Sequence, residues 1–177
     1  MAMTKKIVFI TGAARSGKSQ FALEMAQRFP GRKGYLATAQ ALDEEMADRI
    51  RRHRESRGPD WQTLEEPLRI TEAIEQNGDR FGLVLIDCLT LWLSNAMMAG
   101  WEEEKVMAET DRFLQTGRKA PGSFIFVGNE VGWGIVPENP MARAFRDMSG
   151  RMHQRVAREA DEVYLLVCGI PQKIKGA

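Results

Sequence analysis

Residues 12–19 read Gly-Ala-Ala-Arg-Ser-Gly-Lys-Ser, the G-x-x-x-x-G-K-S pattern of a phosphate-binding loop. An apolar, β-branched run at residues 7–11 precedes it and predicts a strand, and apolar positions recur at helical spacing after it. In this order of strand, glycine-rich turn and helix, the N–H groups at the helix start point at a bound phosphate. The chain is therefore expected to bind a nucleotide, since a plain connecting turn would not require both Lys18 and Ser19.

Each part of this loop has an expected role in holding a triphosphate. Lys18 is expected to reach the terminal phosphates, and the Ser19 hydroxyl is expected to ligate Mg²⁺. Lys18 is therefore a candidate catalytic residue as well as a binding residue. The positions expected to contact the nucleotide are Gly12, Ala13, Ala14, Arg15, Ser16, Gly17, Lys18 and Ser19.

Length and charge narrow the class of protein. With 177 residues, 44% of them hydrophobic and 28% charged, the chain is expected to form one nucleotide-binding domain over residues 1–177. The formal net charge of +1 argues against a protein that binds nucleic acid through electrostatics. No apolar run approaches the roughly 20 residues of a membrane-spanning helix, so no membrane span is expected.

The cysteines and the N-terminal residues indicate the cellular compartment in which the protein is expected. Cys88 and Cys168 are the only cysteines, and each lies in or beside an apolar run, so both thiols are expected to be buried. Buried thiols suit a reducing compartment, whereas a disulfide framework or a zinc site needs more cysteine or histidine. The first predicted strand begins almost at once, which leaves no room for a signal peptide, and a cytoplasmic location is expected.

Apolar runs alternate with helical patterns along the chain and predict the fold class. A strand that is buried on both faces reads as a continuous apolar run. Alternation of such runs with helices predicts an α/β fold with a mostly parallel central sheet flanked by helices. Sheets of this kind bind ligands at the carboxyl ends of their strands. The predicted strands are residues 7–11, 35–38, 83–87, 124–128 and 163–167.

Two helical patterns carry no predicted chemistry. Residues 101–119 are rich in Glu and predict a surface helix with its apolar positions facing inward. Residues 141–160 form a second helical pattern, and His153 within it is interpreted as a structural residue. Both segments are expected to pack against the sheet.

The apolar strand at residues 83–87 ends in a carboxylate, which is the Walker B pattern. Asp87 at that point can hold Mg²⁺, directly or through water, opposite Ser19. It can equally contact a nucleotide base or cap the following helix, because buried strands often end in Asp. Thr90 is interpreted as a hydroxyl at the start of that helix.

Residues 43–59 begin with acidic residues and continue with five arginines clustered around His53, one of two histidines in the chain. Acidic residues first and basic residues later suit the helix dipole, so a solvated amphipathic helix explains the segment. The alternative is a phosphate site, because arginine forks match phosphate oxygens and a neutral imidazole can attack phosphorus. On that interpretation His53 is a candidate nucleophile.

The segment at residues 128–140 is too rich in glycine and polar residues to belong to the core. Loops that follow parallel strands often carry function, and Asn129 and Glu130 can face the nucleotide or a second substrate. The alternative is a long connecting turn. The segment is not the Asn-Lys-x-Asp guanine motif, because Glu130 and Gly132 occupy the Lys and Asp places.

Together these segments resemble one family, the bifunctional adenosylcobinamide kinase / adenosylcobinamide-phosphate guanylyltransferases of cobalamin biosynthesis. The likeness runs nearly end to end, and its second and fourth segments are long and specific. The segments are TGAARSGKS at 11–19, YLATAQALDEEMADRIRRHRESRGPDW at 35–61, IDCLTLWLSN at 86–95 and NEVGWGIVPENPMARAFRDMSGRMHQRVAREADEVYLLVCGIP at 129–171.

The resemblance implies a P-loop fold related to the RecA-like core, assembled as a homotrimer, with two activities. ATP or GTP first phosphorylates the hydroxyl on the aminopropanol arm of adenosylcobinamide. GTP then donates GMP to adenosylcobinamide phosphate, which gives adenosyl-GDP-cobinamide and pyrophosphate. In the family the GMP group passes through a covalent histidine intermediate, and His53 matches that histidine.

The resemblance also implies GTP contacts beyond the loop. Ala13 stands where the family often has Gly, and Arg52 precedes His53 where some relatives have two adjacent histidines. Relatives can carry Glu in place of Asp87. The further residues expected to contact GTP are Ala37, Thr38, Ala39, Arg54, Glu55, Ser56, Arg57, Glu65 and Asp87, with Ser19 and Asp87 also expected at Mg²⁺.

Two other functions stay open at this point. One is a P-loop kinase of another small alcohol, in which His53 is an ordinary surface residue. The other is a nucleotide-gated regulator or nucleic-acid binder that uses the arginine cluster, which the near-neutral net charge disfavours.

Overall fold

The computed structural model describes residues 5–40, 44, 48, 51 and 57–176. Within these ranges the chain forms a seven-stranded sheet and five bounded α-helices. The strands are β1 (Ile7–Gly12), β2 (Lys33–Ala37), β3 (Trp61–Glu65), β4 (Leu83–Asp87), β5 (Ser123–Asn129), β6 (Glu162–Val167) and β7 (Ile170–Lys175). The helices are α1 (Lys18–Ala26), α2 (Ile70–Asn77), α3 (Leu89–Met98), α4 (Glu103–Lys119) and α5 (Pro140–Glu159), and a short 3-10 turn at Gly78–Arg80 follows α2.

The strands lie in the order β3-β2-β4-β5-β1-β6-β7. The first six strands in this order are parallel to one another, and β7 pairs antiparallel with β6. The predicted α/β fold with a mostly parallel sheet is therefore confirmed. Because β1 lies between β5 and β6, the loops that follow these three strands meet at one edge of the sheet.

Side chains of β1 alternate between two cores, as the period of a strand requires. Ile7 and Phe9 pack with α2, α3, α4 and α5 on one face, whereas Val8 and Ile10 pack with α1 on the other. This burial on both faces is why the central strands read as continuous apolar runs in the sequence.

All five predicted strands are present, as β1, β2, β4, β5 and β6, and both predicted helical patterns form helices, α4 and α5. The prediction omitted β3 and β7, which are the two edges of the sheet. The residues of β3 are half-buried or exposed, and those of β7 are mostly exposed. Neither edge strand needs a continuous apolar run, which is the pattern that identified the other five strands.

The cysteine prediction is half right. Cys88 is buried, but Cys168 is exposed. Cys168 lies in the turn between β6 and β7 with a φ of 51°, so its side chain points out of a tight turn rather than into a core. Its apolar neighbours in the sequence belong to the end of β6 and the start of β7, where side chains are exposed.

Candidate functional site

The phosphate loop lies between β1 and α1, and two of its glycines are required by geometry. Gly12 has a φ of 147°, and a Cβ there would lie 2.5 Å from the carbonyl oxygen of Leu166 on β6. Gly17 has a φ of 95° and is the N-cap residue of α1. Only glycine adopts both conformations without strain. The main chain of the loop therefore lies close to β6 at Gly12 and enters the N-terminal end of α1 at Gly17.

Lys18 is the first residue of α1, and its side chain folds back across the loop. Its Nζ donates to the carbonyl oxygen of Ala13 and to Ser16 Oγ, the latter over 3.3 Å. Burial lowers the pKa of Lys18, and the nearby Cys88 and Asp87 oppose that shift. The ammonium is therefore held among polar atoms at the place where phosphate oxygens are expected.

The loop divides into exposed and buried residues. Ala13, Ala14 and Arg15 are exposed, whereas Ser16 is buried and Ser19 is half-buried. Arg15 has a left-handed φ of 57°. The residues predicted from the motif thus run from the end of β1 at Gly12, through the loop, into the first turn of α1.

Asp87 ends β4 and is half-buried. The Tyr35 hydroxyl donates to Asp87 Oδ2 over 3.0 Å, which links the ends of the adjacent strands β2 and β4. Burial, with a further contribution from Asp87, raises the pKa of Tyr35 well above its usual value, so the phenol stays a donor. This bond holds the carboxylate in a fixed orientation at the carboxyl edge of the sheet.

Arg57 is a described member of the predicted arginine cluster, and it lies against β2. Its guanidinium carbon is 3.6 Å from the centre of the Tyr35 ring, and its Nη2 donates to Thr63 Oγ1 over 3.1 Å. Arg57 therefore stacks on the residue that orients Asp87, which brings the end of the arginine-rich segment to the predicted site.

Thr38 joins the same edge through its side chain. Its hydroxyl donates to the Cys88 carbonyl oxygen over 2.8 Å and accepts from the Cys88 N–H over 2.9 Å. Asn95 on α3 donates to the Thr38 carbonyl oxygen over 2.8 Å. Ala37 is buried and Ala39 is half-buried, so the exposed surface of this predicted contact segment begins at Ala39.

Glu65 is the last residue of β3 and is exposed. It pairs in register with Ala37, so it lies at the same edge as the other predicted contacts. The strand order places it farther from the phosphate loop than Asp87, because β2, β4 and β5 lie between β3 and β1.

The segment after β5 is tied to the phosphate loop through its main chain. The Glu130 N–H donates to the Gly12 carbonyl oxygen over 2.9 Å, and the Asn129 N–H donates to Thr90 Oγ1 over 2.7 Å. Cys88, not Thr90, is the N-cap residue of α3. Thr90 therefore joins α3 to the end of β5, a role that the helix-start interpretation did not foresee.

The turn between β6 and β7 also contacts the phosphate loop. The Gly169 N–H donates to the Ser16 carbonyl oxygen over 3.0 Å, and a Cβ on Gly17 would lie 3.2 Å from the Gly169 Cα. The sequence analysis missed this contact together with β7. The pair Cys168-Gly169, which stands between the β-branched residues Val167 and Ile170, was the available signal for a turn.

His153, which was predicted to have a structural role, is a buried residue of α5. Its ring is 5.1 Å from that of Phe9, and a Cβ on Gly128 would lie 2.5 Å from His153 Nε2. Burial lowers its pKa to about 4. A neutral imidazole packed between α5 and the sheet is consistent with the structural interpretation.

Four of the predicted site residues lie outside the described ranges. They are His53, Arg54, Glu55 and Ser56. The described part of the site therefore consists of the phosphate loop, the ends of β2, β3 and β4, and Arg57.

The donors near the loop suit a hard divalent cation. Mg²⁺ in phosphate sites commonly takes one or two protein oxygens and completes its shell with phosphate and water. Ser19 supplies a hydroxyl and Asp87 a carboxylate of this kind. The described residues contain no group of three or more His, Cys, Asp or Glu side chains that could hold a metal. None of the described helices is both long enough and apolar enough to cross a membrane.

Comparisons with a family model and with individual sequences identify the same family. The sequence model of the family described as cobinamide kinase / cobinamide phosphate guanyltransferase matches residues 8–174. The chain is 38% identical over 167 residues to the bifunctional adenosylcobalamin biosynthesis protein CobP of Pseudomonas aeruginosa, with 94% of this chain and 96% of that protein covered. It is also 38% identical over 181 residues to the bifunctional adenosylcobalamin biosynthesis protein CobU of Escherichia coli, with coverages of 96% and 99%.

Comparison with solved structures identifies the fold. A KaiC-like protein from Pyrococcus horikoshii has a TM-score of 0.50 at 14% identity, over 90% of this chain and 70% of that one. A RadB recombinase has a TM-score of 0.55 at 15% identity, over 90% of this chain and 73% of that one. The predicted P-loop NTPase fold of the RecA-like kind is thereby confirmed.

Proposed function

The chain belongs to the cobinamide kinase / cobinamide phosphate guanyltransferase family, and we propose that it carries out both reactions in cobalamin biosynthesis. In the first reaction, the γ-phosphoryl group of ATP or GTP moves to the hydroxyl of adenosylcobinamide. In the second, GMP moves from GTP to adenosylcobinamide phosphate, and pyrophosphate leaves. We also propose that the chain acts as a single domain in a cytoplasmic homotrimer.

The observation that carries this proposal is the arrangement of Lys18 and Asp87 around the phosphate loop. Lys18 is buried among polar atoms at the start of α1, and Asp87 is close enough to affect its pKa. A cation within a phosphate loop and a carboxylate near it suit phosphoryl transfer, because that reaction depends on positioning and charge.

Ser19 and Asp87 are the residues that would hold Mg²⁺. When bound, the ion offsets the charge on the phosphate oxygens and makes pyrophosphate a better leaving group. Lys18 contributes a second positive charge from the protein. Tyr35 keeps the Asp87 carboxylate oriented through its hydroxyl, so Tyr35 is a positioning residue.

The two reactions attack different phosphorus atoms of one bound triphosphate. In the kinase step the acceptor hydroxyl oxygen attacks the γ-phosphorus and a new O–P bond forms. The bond from that phosphorus to the β–γ bridging oxygen breaks, the nucleoside diphosphate leaves, and the hydroxyl proton passes to solvent. In the transfer step an imidazole nitrogen of His53 attacks the α-phosphorus, an N–P bond forms, and the bond to the β-phosphate oxygen breaks. The acceptor phosphate then attacks the same phosphorus, and the N–P bond breaks. Covalent catalysis thus divides one difficult transfer into two displacements.

The test is incubation with GTP labelled at the α-phosphate. Wild-type protein is expected to retain an acid-labile label, and addition of adenosylcobinamide phosphate is expected to release it as adenosyl-GDP-cobinamide. His53→Asn is expected to lose the label and keep kinase activity. His153→Asn is the matched control, since it removes the only other histidine, and it is expected to keep the label.

Each alternative outcome has a definite meaning. A label that persists in His53→Asn shows that another residue is the nucleophile. Kinase activity towards cobinamide without any label shows that guanylyl transfer proceeds without a covalent intermediate or does not occur. A fall of both activities to the same extent in His53→Asn contradicts the division of roles between this residue and the phosphate loop.

A further inference from the structure

The phosphate loop is held on both sides by segments that leave the sheet beside it. On the β5 side, the Glu130 N–H donates to the Gly12 carbonyl oxygen over 2.9 Å, and the chain continues through residues 131–136. On the β6 side, the Gly169 N–H donates to the Ser16 carbonyl oxygen over 3.0 Å. Because β5 and β6 are the two neighbours of β1, both segments border the phosphate site.

The side chains that these segments expose are large and apolar. Trp133 is 75% exposed and Ile135 95%, and on the other side of the phosphate loop Ile170 is 70% exposed. Exposed apolar clusters mark binding surfaces, because they cost solvation free energy until a partner covers them. We call this surface the apolar rim, and it consists of Val131, Trp133, Ile135, Val136, Val167 and Ile170.

The apolar rim borders the phosphate loop but lies away from the other residues proposed to contact GTP. Ala37, Arg57 and Glu65 lie on or beside β2 and β3, which β4 and β5 separate from β1. The apolar rim instead follows β5 and β6, which adjoin β1 directly. A nucleotide that extends from the phosphate loop towards β2 therefore leaves the apolar rim to a second substrate.

We propose that the apolar rim binds the corrin macrocycle of the acceptor, an inference that rests on the proposed function. The corrin of cobinamide is a broad, flat ring that carries methyl groups as well as amide side chains on its periphery. Contact of its apolar parts with isoleucine, valine and indole side chains removes apolar surface from water on both partners. The aminopropanol arm then extends over the phosphate loop, where its hydroxyl reaches the γ-phosphorus and its phosphate later reaches the guanylyl group.

The experiment measures the binding of cobinamide to rim variants by equilibrium dialysis, using the colour of the corrin. Trp133→Ala and Ile135→Ser are expected to raise the dissociation constant for cobinamide about tenfold or more. The KM for cobinamide should rise in parallel, while the KM for the nucleotide stays within about twofold. Ile174→Ser is the control, because Ile174 is 58% exposed but lies at the opposite end of β7 from the turn.

Sedimentation of the same variants separates substrate binding from subunit contact. If the apolar rim binds the corrin, Trp133→Ala and Ile135→Ser should have the oligomeric mass of the wild type and bind cobinamide more weakly. Unchanged cobinamide binding in both variants overturns it, and so does a lower oligomeric mass, which makes the surface a contact between copies of the chain. If wild-type protein neither binds nor phosphorylates cobinamide, the proposed function fails and the rim proposal fails with it. If the wild type is active and the variants match it, the rim proposal alone fails.

Discussion

At the scale of single residues, replacement of Lys18 is expected to lower activity without lowering stability. Its side chain is 6% exposed, and burial lowers its pKa against the opposing effects of Cys88 and Asp87. Because a buried ammonium is costly to desolvate, Lys18→Met should keep or raise the thermal midpoint while it lowers both transfer rates by about 100-fold to 1,000-fold. Thermal denaturation beside the two assays checks this. Retained transfer in a destabilised variant would be the contrary result.

Residues that carry chemistry were predictable, but their supporting partners were not. Lys18 and Asp87 lie in local motifs whose spacing alone predicts a role. Tyr35, Thr38 and Asn95 gain their roles from partners 50 to 57 positions away in the chain. Such contacts exist only because β2 and β4 are neighbours in the sheet, which no local pattern specifies.

At the scale of elements, the turn between β6 and β7 is expected to position the phosphate loop. Gly169 and Gly100 have similar φ angles of 79° and 75°, and a Cβ at either position meets no atom within 4 Å. Gly169→Ala and Gly100→Ala should therefore lose similar stability, about 1 kcal/mol each. Alanine keeps the backbone N–H, but strain at the positive φ of residue 169 displaces the N–H that donates to Ser16, so only Gly169→Ala should raise the KM for nucleotide, severalfold. Equal KM values in the two variants would show that the turn is merely a connection.

The elements that the sequence predicted are those with a buried face. The helix α4 has Val106, Phe113 and Leu114 buried at helical spacing, which gave a clear periodic signal. The edge strand β7 contains Pro171 and several exposed polar residues, and its pairing partner β6 lies on one side only. Proline and polar side chains are tolerated at such an edge, so the hydrophobic pattern that identifies central strands is absent there.

At the scale of the whole molecule, strand order decides which motifs meet. Lys18 follows β1 and Asp87 ends β4, and only β5 lies between these strands. Alternation of strands and helices predicted the class of fold, but it does not specify that β5 inserts between β4 and β1. The resemblance to the cobinamide kinase / guanylyltransferase family implied the more specific RecA-like fold, because that resemblance rested on long segments rather than on periodicity.

The stability of the whole fold is expected to depend on pH through His153, which packs between α5 and the sheet. Burial lowers its pKa to about 4 from the usual value of 6.5. The unfolded chain therefore takes up this proton at higher pH than the folded protein, so the free energy of unfolding falls as the pH falls from 6.5 towards 4. The loss is at most about 3 kcal/mol.

Urea denaturation at a series of pH values between about 5 and 8 measures this loss, within a range where most carboxylates stay ionised. His153→Asn lacks the titrating ring, so its free energy of unfolding should change less over the same range. Because the asparagine side chain is smaller and still polar, it fits beside Gly128, and the comparison depends on the slopes rather than on the absolute stabilities. Equal slopes in the two proteins would mean that His153 does not carry the pH dependence.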